Sequence, residues 1–99
     1  MKYTNHHTHT QGGNNTVYVV PPNTVATIRA MTIHNPIAKN TKVAVYVGGV
    51  GDEHRIINRT IAENMGYLCP ELVNHVFGEG TTIIITGTGV NVWLSVSEM

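Results

Sequence analysis

The chain has little charge. Six Lys plus Arg balance six Asp plus Glu over 99 residues, so the formal net charge is zero with neutral histidines. The basic residues Lys2, Arg29, Lys39, Lys42, Arg55 and Arg59 are scattered and form no stripe. That argues against a nucleic-acid binder working by phosphate neutralisation, because such a protein needs clustered cations. Cysteine is nearly absent as well. Cys69 stands alone, so no internal disulfide exists and synthesis in a reducing compartment is the expectation. No apolar run approaches the roughly 18–20 residues of a membrane span, and no basic, apolar leader opens the sequence, so neither membrane nor export is expected. Carboxylates are few, and no close pair suggests glycoside hydrolysis.

What is present is β-branched and polar. The hydrophobic fraction is 41%, ordinary for a folded domain. The abundance of Val, Ile and Thr favours strands. The clearest pattern lies in the last quarter. Thr81–Thr86 and Val90–Val96 read as two strands joined by the glycine turn Gly87-Thr88-Gly89. In the second, Val90, Val92, Leu94 and Val96 share one face while Asn91, Trp93 and Ser95 share the other. Ile83 and Ile85 are assigned inward, although three consecutive isoleucines leave Ile84 as the competing choice.

Upstream, Thr16–Val20 reads as a strand with Val17 and Val19 on one face, ended by Pro21-Pro22. Val25–Asn35 is a longer strand whose mixed faces suggest a bend or bulge. Thr41–Val47 is a clean strand with Val43, Val45 and Val47 inward, followed by the turn Gly48–Asp52. Glu53–Ile61 fits a short helix or a strand, and its β surroundings favour the strand. Pro70–Phe77 has the apolar spacing of one helical face, Leu72, Val73, Val76 and Phe77. Its first-turn proline and Gly78 stop predict one or two helical turns. The fold expected is all-β: an antiparallel β-sandwich or jelly roll with one short helical segment, spanning residues 16–99. Residues 1–15 contain Tyr3 as their one large apolar side chain and are read as an extended, flexible or docking N-terminal arm.

Chemistry-bearing groups are sparse. His6, His7 and His9 are the one metal-like cluster, since imidazoles at i and i+2 of an extended segment face the same way. No Cys, Asp or Glu lies in the arm to complete a four-ligand shell. The deficit favours a polar arm that happens to be His-rich, with no metal and no cofactor. A cupin-type site would need its His pair on a core strand, and this pair precedes the folded part. His34, His54 and His75 are dispersed and read as surface or hydrogen-bonded histidines. Cys69 has no identifiable base and reads as a small apolar residue. The glycine turns lack the Lys-Ser/Thr of a phosphate loop. Asn14-Asn15-Thr16 and Asn58-Arg59-Thr60 match a glycosylation pattern that carries no weight without an export signal. No catalytic residue is assigned, and no enzyme is expected. A lectin would show exposed aromatics and acidic calcium ligands in its loops, and Asp52 with Glu53 is a poor supply.

Several segments in order resemble a known group. They are Val19-Val20-Pro21-Pro22, Ala30–Asn35 leading into Val43–Gly49, Arg55–Ile61, Tyr67–Val73, Gly80-Thr81-Thr82-Ile83 and the closing Leu94–Glu98. This order is similar to the small β-sandwich virion proteins of tailed bacteriophages, which are encoded among head and tail genes. The likeness covers most of residues 16–98 and rests on strand patterns. That group often has Gly-Asp where this chain has Gly80-Thr81, and the His-rich arm is not expected of it. The resemblance implies a non-enzymatic virion component made in the host cytoplasm. Foremost is a capsid decoration or cement protein that bridges capsid subunits; a neck, tail or fibre-attachment component is the alternative. A small carbohydrate- or metal-binding jelly roll is a further one. The implied partners are the major capsid protein or other virion proteins, and further copies of the chain in a homo-oligomer such as a trimer. Tyr3, His6, His7, His9 and Trp93 are the candidate interface residues. For Trp93, an interface anchor and packing beneath a neighbouring loop both stand.

Overall fold

The computed structural model describes residues 1–99. Nine strands form two antiparallel sheets: β1 (Lys2–His9), β2 (Asn15–Val19), β3 (Ala26–His34), β4 (Thr41–Val47), β5 (Arg55–Ile61), β6 (Gly66–Tyr67), β7 (Val76–Phe77), β8 (Thr82–Thr86) and β9 (Asn91–Glu98). The first sheet has the order β1-β9-β3-β6, with β7 also paired to β3. The second has the order β2-β8-β4-β5. Apart from the β4–β5 hairpin and the two short pieces β6 and β7, successive strands alternate between sheets. That alternation is the double Greek key of a jelly roll, and it decides between the two architectures expected.

The core is made by the inward faces of both sheets. Val43 and Val45 of β4, Ile83 and Ile85 of β8, and Val92, Leu94 and Val96 of β9 are buried, as their period-2 patterns require. Val47 is only partly buried against them. Residues 55–61 are a strand, paired with β4 from Thr41↔Ile61 to Tyr46↔Arg55.

Four expectations are corrected. Val19 does not share an inward face with Val17. A bulge between Thr16 and Tyr18 turns Tyr18 into the core and leaves Val19 exposed. Gly87–Gly89 does not close a hairpin, because β8 and β9 belong to different sheets. Gly87 has a φ of 123°, and a Cβ there would lie 2.8 Å from the Lys42 carbonyl oxygen, so only glycine carries the chain round this corner.

The helical turn is also misplaced. It is a single 3-10 turn at Asp52–His54, not within residues 70–77. Cys69 and Asn74 take positive φ (48° and 70°), which breaks any continuous helix. His75 instead accepts from the Ile28 N–H at 3.0 Å, and β7 joins the edge of β3. The apolar spacing is there, but backbone pairing with β3 takes precedence over it.

Finally, the first residues are not a detached arm. β1 pairs with β9 along eight residues, from Lys2↔Glu98 to His9↔Asn91. The next residue, Thr10, is buried and locked to the β9 entry. Its N–H donates to the Val90 carbonyl at 2.9 Å, and its Oγ1 accepts from the Val90 N–H at 3.0 Å. A strand without an apolar stripe thus forms because β9 offers a complete unpaired edge.

Leu94, with 2% of its surface exposed, lies at the centre of this arrangement. Leu94→Ala should destabilise the domain by about 2–5 kcal/mol. Urea unfolding with an unchanged midpoint would show that the β9 face assignment is wrong.

Candidate functional site

Strand alternation sorts the N-terminal histidines to opposite sides of the first sheet. His6 points toward the second sheet. Its ring lies 4.8 Å from that of Tyr18, and its Nε2 is 2.9 Å from Thr4 Oγ1. His7 and His9 point outward. The His7 imidazole stacks on Trp93 with centroids 4.0 Å apart and planes 24° apart. His9 Nδ1 donates to Asn91 Oδ1 at 2.9 Å. The three imidazoles therefore do not converge, and no group of three or more His, Cys, Asp or Glu side chains is placed to hold a metal ion. His54 bonds through Nδ1 to the Val47 carbonyl at 3.0 Å, and His75 stacks on Phe77.

Four of the five candidate interface residues, Tyr3, His7, His9 and Trp93, share the outer face of the first sheet; His6 does not. Trp93 is 56% exposed although it stands on an interior strand of its sheet, with no loop above it of the kind the packing alternative required. The register stacks three rows across β1, β9 and β3: Tyr3–Ser97–Thr27, Asn5–Ser95–Ala30 and His7–Trp93–Thr32. The bulge between Ile28 and Ala30 brings the Arg29 guanidinium over the Tyr3 ring, 4.6 Å from its centroid. In the middle row Ser95 Oγ donates to Asn5 Oδ1 at 2.7 Å. A depression of about 340 Å³ lies there, lined by Asn5, Ala30, Thr32, Trp93, Leu94 and Ser95.

The free edge of β1 is the second feature. The Thr10–Val90 bonding fixes the ladder's alternation, so the backbone groups of residues 3, 5, 7 and 9 point away from β9. A more open groove of about 440 Å³ runs between this edge strand and β2, lined among others by Lys2, Thr4, His6, Tyr18 and Glu98.

Each open side of the sandwich carries a tyrosine–glutamate bond. Tyr18 of β2 donates to Glu98 of β9, joining the two sheets. Burial, and then this bond, push the Tyr18 phenol well above its usual range. On the far side Tyr67 donates to Glu71 at 2.6 Å, and Arg59 of β5 lies over the Tyr67 ring and 3.9 Å from the Glu71 carboxylate. The Tyr67 hydroxyl bond is the first cause holding the Glu71 carboxyl below its usual value, with Arg59 adding to it. Cys69 is fully buried, and burial with the nearby Glu71 charge pushes its thiol up to about 12.

The outer-face platform was only partly legible from sequence. The alternation of Asn91, Trp93 and Ser95 pointed to it, but the partner rows on β1 and β3 depend on the pairing. No family model, curated protein or solved structure matches the chain.

Two chemical outcomes follow. A lowered folded pKa means that Glu71 contributes stability above its unfolded pKa and loses it as pH falls through the folded value. Acid destabilisation below about pH 4.5 should therefore be shallower in Glu71→Gln than in the parent, as followed by urea midpoints against pH. A parallel pH profile for both proteins would show that Glu71 is not linked to folding. Cys69 should resist a thiol reagent at pH 8 until denaturant is added, because a buried neutral thiol is a poor nucleophile. Rapid native-state labelling would contradict that burial.

Proposed function

We propose that this chain is a non-enzymatic structural module of a tailed-phage virion. In this reading it is a capsid decoration or cement protein that docks on capsid subunits through the free edge of β1. The edge carries the reading. An exposed strand edge invites pairing with another chain, and proteins ordinarily blunt it. Three of the four edges here are blunted. β2 is bulged and followed by Pro21-Pro22, β5 carries Arg55 and Arg59, and the far side of β3 is covered by the two-residue pieces β6 and β7. Strand β1 is eight residues long, pairs without a register shift, and contains neither proline nor any Lys, Arg, Asp or Glu after Lys2.

Such an edge suits strand addition by an extended segment of a neighbour, with main-chain hydrogen bonds supplying the affinity. Tyr3, His7 and His9 would flank the joint on the outer face, and His6 on the inner. Repetition over a particle multiplies weak single contacts into firm attachment. The virion context rests on the order of segments described above. A neck, tail or fibre-attachment role uses the same edge and differs in copy number.

Two measurements test this. Mass spectrometry of purified particles should find the chain in hundreds of copies for decoration, against roughly a dozen or fewer for a neck or tail part; absence from particles rejects both. The double variant Tyr3→Pro/His9→Pro removes two outward N–H groups and none from the β1–β9 ladder. It should remain folded by circular dichroism and lose most of its occupancy on particles. Full occupancy would remove the edge from the docking surface.

A further inference from the structure

The geometry points to a second function, independent of the edge: the trough across the middle of the outer face is a binding site for a neutral saccharide. Its floor is the row Asn5–Ser95–Ala30, small or polar side chains on three adjacent strands. On one side stand His7 and Trp93, and on the other Tyr3 beneath Arg29. The two flanking rows are four residues apart along β1, about 13 Å at strand rise. That spacing suits a sugar ring or two lying flat, and the volume of about 340 Å³ is that of a small-ligand site.

The chemistry is specific to carbohydrate. A sugar presents an apolar C–H face and a rim of hydroxyls. The indole face that His7 leaves uncovered supplies a flat surface with negative π character for the C–H groups. Stacking on His7 holds that ring in place, so little side-chain freedom is lost on binding. Asn5 uses its Oδ1 for Ser95, while its amide N–H groups and the Thr32 hydroxyl make no hydrogen bond within the chain. They remain as donors and acceptors for hydroxyls. None of the six lining residues is charged, and the Arg29 guanidinium on the flank lies over the Tyr3 ring, so the floor itself offers no ion pair to a sialylated or sulfated sugar and suits a neutral one. An apolar protein anchor would leave the Asn5 and Thr32 groups unsatisfied, at a cost in affinity. Strand addition at the β1 edge uses backbone groups in the sheet plane, so both can act together.

Trp93 is the single tryptophan, so indole emission reports on the outer face that carries the trough. The full-length protein is titrated separately with trisaccharides of glucose, galactose, mannose, rhamnose and N-acetylglucosamine. At least one should give a saturable emission shift. Ala30→Leu fills the floor from an exposed position and keeps the reporter, and it should weaken that ligand at least about tenfold. Asn5→Ala should weaken it as well, and serves if Ala30→Leu does not fold. The proposal is overturned if no sugar saturates up to about 50 mM, or if affinity is unchanged in both variants. It is also overturned if emission shifts only when purified capsid protein is added, which would make the face a protein contact. Docking through the β1 edge can succeed or fail in the particle experiment without altering any of these outcomes.

Discussion

Strand β9 is the element on which the rest depends. It is interior to its sheet, and its backbone holds β1 on one side and β3 on the other. Its inward Val92, Leu94 and Val96 meet Ile83, Ile85, Val43 and Val45 across the sandwich. Apolar area withdrawn from water at this seam is the main favourable term in a domain with so few charges. The outward side of the same strand carries Trp93 and Ser95. Core, sheet order and candidate binding face therefore share one register, and a slip of one residue would exchange Leu94 for Trp93.

Polar bonds complete what the apolar seam leaves open. The side chain of Asn35, fully buried, donates to the Lys39 and Ile61 carbonyls at 2.9 and 3.0 Å and accepts from the Ile37 N–H. It ties the β3–β4 loop to the end of β5, linking the sheets at one end. At the same end Thr10 and Val90 extend the β1–β9 ladder and fix where the chain leaves β1 and enters β9. Tyr18–Glu98 and Tyr67–Glu71 stand on the two long sides. No buried side-chain nitrogen or oxygen is left without a partner. Since an unsatisfied buried group costs far more than a formed bond gains, these contacts select one packing of the sheets more than they add stability.

The legible part of the fold was the part governed by side-chain burial. Val43/Val45 and Val92/Leu94/Val96 alternate because each strand has one wet and one dry face, and that periodicity is local information. The rest was set by pairing partners distant in sequence. Whether Gly87–Gly89 closes a hairpin or turns a corner depends on β2 and β4 claiming β8. The bulge that reverses Val19 and Tyr18 answers to the register with β8. Leu72, Val73, Val76 and Phe77 keep a helical spacing, yet Ile28 recruits the backbone of Asn74 and His75. For the site, exposure of Trp93 followed from alternation, but its stacking on His7 required knowing that residues 2–9 are a strand.

That strand is the instructive case. By composition β1 cannot offset its own ordering entropy, and as an isolated segment it would be disordered. It is ordered because ordering is shared. β9 supplies a full row of backbone partners, Trp93 a surface for His7, Asn91 and Ser95 partners for His9 and Asn5, and Thr10 a buried anchor at the far end. Little of its surface is withdrawn from water, so its hold is weaker per residue than that of β3. The consequence is functional. A strand held by one edge and one anchor presents its other edge fully formed, with the ordering cost already met before any partner arrives. The same pairing places Asn5 and His7 beside Trp93 and so completes the outer face. The polar segment that contributes least to the core thus supplies both the free edge and part of the outer-face trough on which the two proposals rest.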